Sequence, residues 1–287
     1  MSFTLIVWLS ALSFGLQTII GKLTSKYSIQ NPWLLTFFLS VFNLLLTAAI
    51  AVNFDISWPA NYLPYISAGF FLAVGTVLLT YSIFKLDVTV ISPLFALRTA
   101  FTAILSFVFL QEKFSGFEYL LILIIFICGM LVKLDENFSL KKITSDIWMG
   151  VLCMLFLSLS NITIKYASVG GNYWQNTLWI NIFSMLFLLF TLPKFYSDLR
   201  KTPVNKYLGA LGYAITGGIG RLLSFFAIAI NATVTTAITS LPTSMLITIP
   251  LAYIFPKLLE KHTTKVYVIR LVLAAIMVGC SIKLSLR

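Results

Sequence analysis

The chain has 287 residues, 59% of them hydrophobic and 10% charged, with a mean hydropathy of +0.97, so its outer surface faces something other than water and a soluble domain is excluded. Twenty basic residues against nine acidic ones give a net charge of +11. In a membrane chain such an excess belongs to loops facing anionic lipid, and its scatter in ones and twos fits no nucleic-acid surface.

A spanning helix needs about 20 mostly apolar residues, and runs of that kind recur along the whole sequence. The first, 3–21, lacks the basic start and the small-residue cleavage site of a signal peptide and is expected to be a membrane helix. The others are expected at 33–52, 65–84, 88–111, 119–134, 147–166, 174–193, 207–229, 234–256 and 266–284. The longer polar connections, Asp135 to Asp146 and Lys194 to Lys206, are of loop size.

Laid over each other at an offset of about 141–148 residues, the two halves match. Asn31, Trp33, Thr36, Phe42 and Leu45 fall on Asn172, Trp174, Thr177, Phe183 and Leu186. Lys22 pairs with Lys165, Gly75 with Gly220, Thr89-Val90 with Thr233-Val234, and Glu112-Lys113 with Glu260-Lys261. Five is odd, so a duplicated five-helix unit enters the bilayer the second time in the opposite orientation. The expected fold is therefore all-α and integral to the membrane, with ten transmembrane helices in two inverted five-helix repeats: residues 1–134, an inter-repeat loop 135–146, and residues 147–287.

A charge inside an apolar helix costs about 2.5–3.5 kcal/mol on insertion scales, so intramembrane arginines are candidate site residues. Arg98 lies in the fourth stretch and Arg221 in the eighth, whereas Arg270 is near enough to the start of the tenth to reach the interface. Glu112 stands about 21 Å along the helix from Arg98 and cannot neutralise it there. No Asp or Glu occupies the interior of any expected span, leaving carbonyls, water or a substrate anion as partners for the arginines. Ser92, Phe95, Arg98 or Thr99, Thr102 and Ser106 recur at helical spacing and should line a polar cavity. Gln17 and Asn161 sit in the first helix of each half; Thr239, Pro242 and Thr243 lie in the ninth, where Pro242 frees the Ile238 carbonyl as a hinge or ligand contact. Gly217 and Gly220, before Arg221, suit close helix approach or bending rather than phosphate binding, since no Lys-Ser/Thr follows. Trp8, Tyr81 and Trp179 fall where the repeat brings aromatics near the cavity.

Cys128, Cys153 and Cys280 have no metal-ligand spacing and read as packing residues, and His262 reads as a loop histidine. The acidic residues are too scattered for enzyme chemistry or a proton relay, so no catalytic residue, metal or cofactor is expected.

Ten helices in inverted halves, the polar ends Ser13 to Lys22 and Phe156 to Lys165, Ser92-Pro93-Leu94, and above all Phe107-Val108-Phe109-Leu110-Gln111-Glu112-Lys113-Phe114 resemble the drug/metabolite transporter superfamily, in its EamA branch. Ser13-Phe14-Gly15 stands where that branch commonly carries Trp-Gly. The resemblance implies a non-enzymatic transporter in the plasma (inner) membrane, moving a small molecule within membrane lipid. The substrate expected from the residues is a small polar or anionic metabolite, such as an amino acid or organic anion, carried by alternating access as an exporter, exchanger or facilitator. A flippase for a lipid-linked sugar and a non-transporting structural subunit stand as alternatives. Loop charges place both termini outside the cytoplasm, whereas the resemblance implies cytoplasmic termini.

Overall fold

The computed structural model describes residues 2–59, 61–110, 115–131, 145–168, 172–254 and 263–285. The described residues form helices α1 (Phe3–Tyr27), α2 (Pro32–Ala51), α3 (Leu63–Lys85), α4 (Val88–Leu110), α5 (Gly116–Leu131), α6 (Ser145–Ala167), α7 (Tyr173–Leu189), α8 (Tyr196–Lys201), α9 (Tyr207–Ile230), α10 (Ala232–Thr239), α11 (Thr243–Ile254) and α12 (Thr264–Ser285). Seven of them, α1, α2, α3, α4, α6, α9 and α12, are long and apolar enough to cross a membrane.

Asn31 and Asn172 start α2 and α7 in the same way, each side-chain oxygen accepting the amide two residues on, from Trp33 at 2.9 Å and Trp174 at 3.1 Å. The sequence expectation differs from the structure in three places. Helix α1 continues past residue 21 to Tyr27, because Lys22, Thr24 and Lys26 are compatible with helix; it ends where the Thr24 carbonyl takes the amides of both Ser28 and Ile29 at 2.9 Å. The 194–206 connection carries α8, flanked by 3-10 turns and anchored by Phe195, which is fully buried against Phe37. The ninth apolar stretch is two helices, α10 and α11, separated at Ser240 to Pro242.

Packing runs α3 along α6 and α1 along α9, α3 on α7 and α2 on α9, and α4 on α6 with α10 and α11 on α1. Helix α2 meets α7, and α5 meets α12. Leu5, Trp8, Leu12 and Leu16 are exposed, while Ser10, Gln17 and Thr18 on the same helix are buried. Polar residues inside and apolar ones outside is the arrangement expected where the surrounding solvent is lipid.

Candidate functional site

At the middle of the bundle Gln17 and Thr18 of α1, Thr76 of α3, Arg98 of α4, Ser160 and Asn161 of α6, Arg221 and Ser224 of α9, and Thr239 of α10 surround a cavity of about 50 Å³. Phe14, Phe95, Phe225, Leu72, Leu79 and Leu157 form its apolar walls.

Arg98 Nη2 donates to Asn161 Oδ1 at 2.6 Å, and Asn161 Nδ2 donates to Thr236 Oγ1 at 3.3 Å. Arg221 Nη2 donates to Thr76 Oγ1 at 3.2 Å. Neither guanidinium meets a carboxylate among the described residues lining the cavity. Arg98 Nε and Ser160 Oγ are buried without a hydrogen-bond partner among the described residues. The site therefore offers two positive charges, amides and hydroxyls, with donors in excess, and an anion is its electrostatic complement.

Glycine permits this convergence. A Cβ on Gly217 would overlap Gln17 Nε2, so the bare backbone of α9 makes the room for the Gln17 amide. The Gly220 carbonyl accepts from Ser10 Oγ at 2.8 Å, binding α9 to α1 directly below the cavity-lining turn.

Packed layers lie on both sides of the cavity along the bundle. Toward the end where α1 finishes, one turn beyond Gln17, Thr76 and Gly217, lie Gly21, Thr80 and Tyr213. The ring of Tyr213 is fully buried against Gly21 and its hydroxyl is 3.3 Å from Thr80 Oγ1. Beyond that layer opens a polar vestibule of about 560 Å³ bordered by Asn31, Trp33, Tyr81, Asp198, Lys201 and Lys206. Toward the end where α1 begins, Tyr65, Ala68, Leu72, Ile164, Phe225 and Ile228 pack into an apolar plug. Tyr65 ties that plug to α7 by donating to Asn176 Oδ1 at 2.7 Å.

Five residues singled out in the sequence, Arg98, Arg221, Gln17, Asn161 and Thr239, thus share one cavity. The polar stripe of α4 divides instead of lining it throughout. Phe95 and Arg98 face the cavity, while Ser92 Oγ accepts from Ser244 Oγ at 2.8 Å and from the Met245 amide at 3.2 Å, and Thr99 Oγ1 donates to Ser240 Oγ at 3.1 Å. Thr102 Oγ1 is buried with no hydrogen-bond partner among the described residues. Thr243 Oγ1 donates to the Ala11 carbonyl at 3.0 Å, away from the cavity. These hydroxyls hold the broken ninth segment to its neighbours. Pro242 lies in that break, and the Ile238 carbonyl expected to be freed there accepts the Leu241 amide at 3.1 Å.

Tyr81 stands in the vestibule, edge-on to Trp33 at 5.4 Å, and Trp179 packs on Trp58 at 4.9 Å at the opposite end, so neither reaches the cavity. Trp8 is exposed on the outer face. Glu112 lies outside the described residues. Arg270 is buried rather than reaching the interface; it contacts Thr89 and lies 4.0 Å from Asp87 at the start of α4.

Thr76, Thr18, Ser160 and Ser224 were not singled out, because hydroxyl residues in apolar helices ordinarily serve packing. For Thr76 a signal did exist: the match of Gly75 to Gly220 makes it the counterpart of Arg221, its hydrogen-bond partner.

Among solved structures, a crystal structure described only as that of a protein aligns with 100% of this chain and 98% of its own, with a TM-score of 0.66 at 12% identity. That likeness concerns the fold alone. No curated protein matches the chain. The family model of the EamA-like transporters matches residues 1–133, the stretch from α1 through the end of α5 that supplies Gln17, Thr76 and Arg98 to the cavity. Residues 1–133 thus match the EamA-like transporter family, which lies within the drug/metabolite transporter superfamily.

Proposed function

We propose that this integral membrane protein is an alternating-access secondary transporter of a small anionic or zwitterionic metabolite, bound between Arg98 and Arg221. The observation that carries the reading is the cavity itself: two buried guanidiniums, one from each half of the chain, with no acidic residue among the described residues around them. Intramembrane charge of this kind marks substrate pathways. The plasma membrane is the usual location for the family.

The architecture in this reading is ten crossings in two inverted repeats, residues 1–134 and 147–287, with α10 and α11 together forming the ninth. Mirrored contacts support it. Ser10 Oγ donates to the Gly220 carbonyl, and Cys153 Sγ donates to the Gly75 carbonyl at 3.5 Å. Gly220 packs on Phe14 and Gly75 on Leu157. Each member of the first pair is the repeat counterpart of one in the second, and the helix pairs α1 with α9 and α3 with α6 exchange in the same way. A pseudo-two-fold axis in the membrane plane, passing by the Thr76–Arg221 bond, puts the site where rocking of the halves opens it to alternate sides.

A volume of 50 Å³ holds a few waters and no metabolite, against about 300 Å³ or more for a ligand pocket. We read this as a closed intermediate, sealed by the Tyr213 layer on one side and the Tyr65 to Ile228 plug on the other. The flippase reading gains less support, because the apolar groove between α2 and α9 shares no lining residue with the cavity.

Ligand-dependent thermal stabilisation of the purified protein, followed by uptake into proteoliposomes, tests the reading. A panel of amino acids, organic anions, sugar phosphates and lipid-linked sugars is expected to yield soluble anionic or zwitterionic hits. Arg98→Ala is expected to weaken them by more than about tenfold. Stabilisation by lipid-linked compounds alone, or hits untouched by the substitution, would overturn it.

A further inference from the structure

A groove and a polar vestibule adjoin at the end of the bundle where α1 finishes. Between α2 and α9 runs an apolar groove of about 410 Å³, walled by Phe38, Phe42, Leu45, Tyr207, Leu208 and Leu211. Its floor is opened by two small residues, Ala210 and Ala214, both buried. Leu45, Leu208 and Leu211 are exposed, so the groove faces the hydrocarbon rather than another helix. From Phe38 to Leu45 it extends about 10 Å along α2, the direction of an acyl chain.

The groove adjoins the polar vestibule across a single turn. Pro203 and Lys206 border the vestibule, while the intervening and following residues, Val204 and Tyr207, border the groove. On α2, Leu34 borders the vestibule and Phe38, one turn on, borders the groove. Lys201 and Lys206 are both exposed at this junction. Asp198, the acidic residue of the vestibule lining, stands one turn before Lys201 on α8 and accepts a hydrogen bond at 2.6 Å from Nδ2 of Asn31, the residue that starts α2. Cationic side chains above a chain-sized apolar groove match a headgroup phosphate above an acyl chain.

We infer that this junction is a binding site for an anionic phospholipid, whose acyl chain fills the α2–α9 groove and whose phosphate is held by Lys201 and Lys206. Both helices also contribute to the contact between the halves, since α9 packs on α1 and α2 on α7. A lipid bridging α2 and α9 therefore touches the elements that must move against each other in transport, yet the inference stands whether or not the central cavity carries a metabolite.

Delipidated protein titrated with dioleoyl phosphatidylglycerol or dioleoyl phosphatidylcholine, with bound lipid counted by native mass spectrometry, is the test. Phosphatidylglycerol is expected to bind more tightly, and K201A/K206A is expected to weaken it by about fivefold per lysine while leaving phosphatidylcholine unchanged. Leu208→Ala with Leu211→Ala, at two exposed positions that leave the core intact, is expected to weaken both lipids. Equal affinity for the two lipids in the native protein, or phosphatidylglycerol binding unaffected by either pair of substitutions, would overturn the site. Displacement of phosphatidylglycerol by millimolar inorganic phosphate alone would equally overturn it, in favour of a soluble anion.

Discussion

The residues that stand out chemically in this sequence do so because the bilayer makes them expensive. Arg98, Arg221, Gln17 and Asn161 carry charge or amides in stretches otherwise apolar, and each reaches the cavity. Thr76, Ser160 and Phe14 reach it as well, but a hydroxyl that can satisfy itself on the preceding turn, as Thr76 does on the Leu72 carbonyl at 2.7 Å, looks the same whether it lines a cavity or a helix contact. Glycines show the same division. A Cβ on Gly69 would come within 2.6 Å of Phe183 Cβ and 2.8 Å of the Ser184 amide, both fixed by the backbone of α7. Gly69→Ala is therefore expected to destabilise by about 1–3 kcal/mol, read as a lowered melting temperature in detergent. Gly279→Ala, where no described residue lies within 4 Å, is expected to keep or slightly raise that temperature. Equal behaviour of the two variants would refute close α3–α7 packing.

Among the elements, the broken ninth segment departs most from a plain helix. Thr99 holds Ser240, Ser92 takes the Met245 amide, and Thr243 holds the Ala11 carbonyl, so α4 and α1 grip the break from two sides. Thr239, the last residue of α10, reaches the cavity from the same break. Replacing Pro242 restores a backbone donor and favours a continuous helix. Pro242→Ala is expected to keep or raise the melting temperature while slowing proteoliposome uptake severalfold; unchanged uptake would mean that the break does not move during transport. The proline and the spacing of the threonines are plain in the sequence. That the freed carbonyl is claimed by Leu241, and that the α4 hydroxyls serve the break rather than the cavity, is not, because such pairing depends on which helices become neighbours.

For the whole molecule, loop charge predicts an orientation. Among the described residues, Lys22, Lys26, Lys85, Lys194, Arg200, Lys201, Lys206 and Lys265 lie at or near the end where α1 finishes, and Lys165 and Lys283 lie toward the other. The positive-inside rule then puts the basic end in the cytoplasm and the termini outside, against the cytoplasmic termini implied by the family resemblance. A C-terminal alkaline phosphatase fusion is expected to be active and a C-terminal green fluorescent protein fusion dark in bacterial cells. The reverse pattern would show that family topology prevails over loop charge.

That the chain is helical and membrane-embedded follows from its amino acids, since long apolar runs can satisfy their backbone in hydrocarbon only by hydrogen bonding within each segment. Their order also sets where the costly polar groups fall along those runs, and the internal match of the two halves was readable from Asn31, Trp33 and their counterparts. Which of those groups meet depends on how the helices pack. Arg98 finds Asn161 63 residues away, Arg221 finds Thr76 at a separation of 145, and Tyr81 and Trp179 end at opposite mouths of the bundle. Helical periodicity assigns a residue to a face, but which neighbour covers that face is set by packing at glycines and small side chains, and packing is a property of pairs of helices rather than of any one of them.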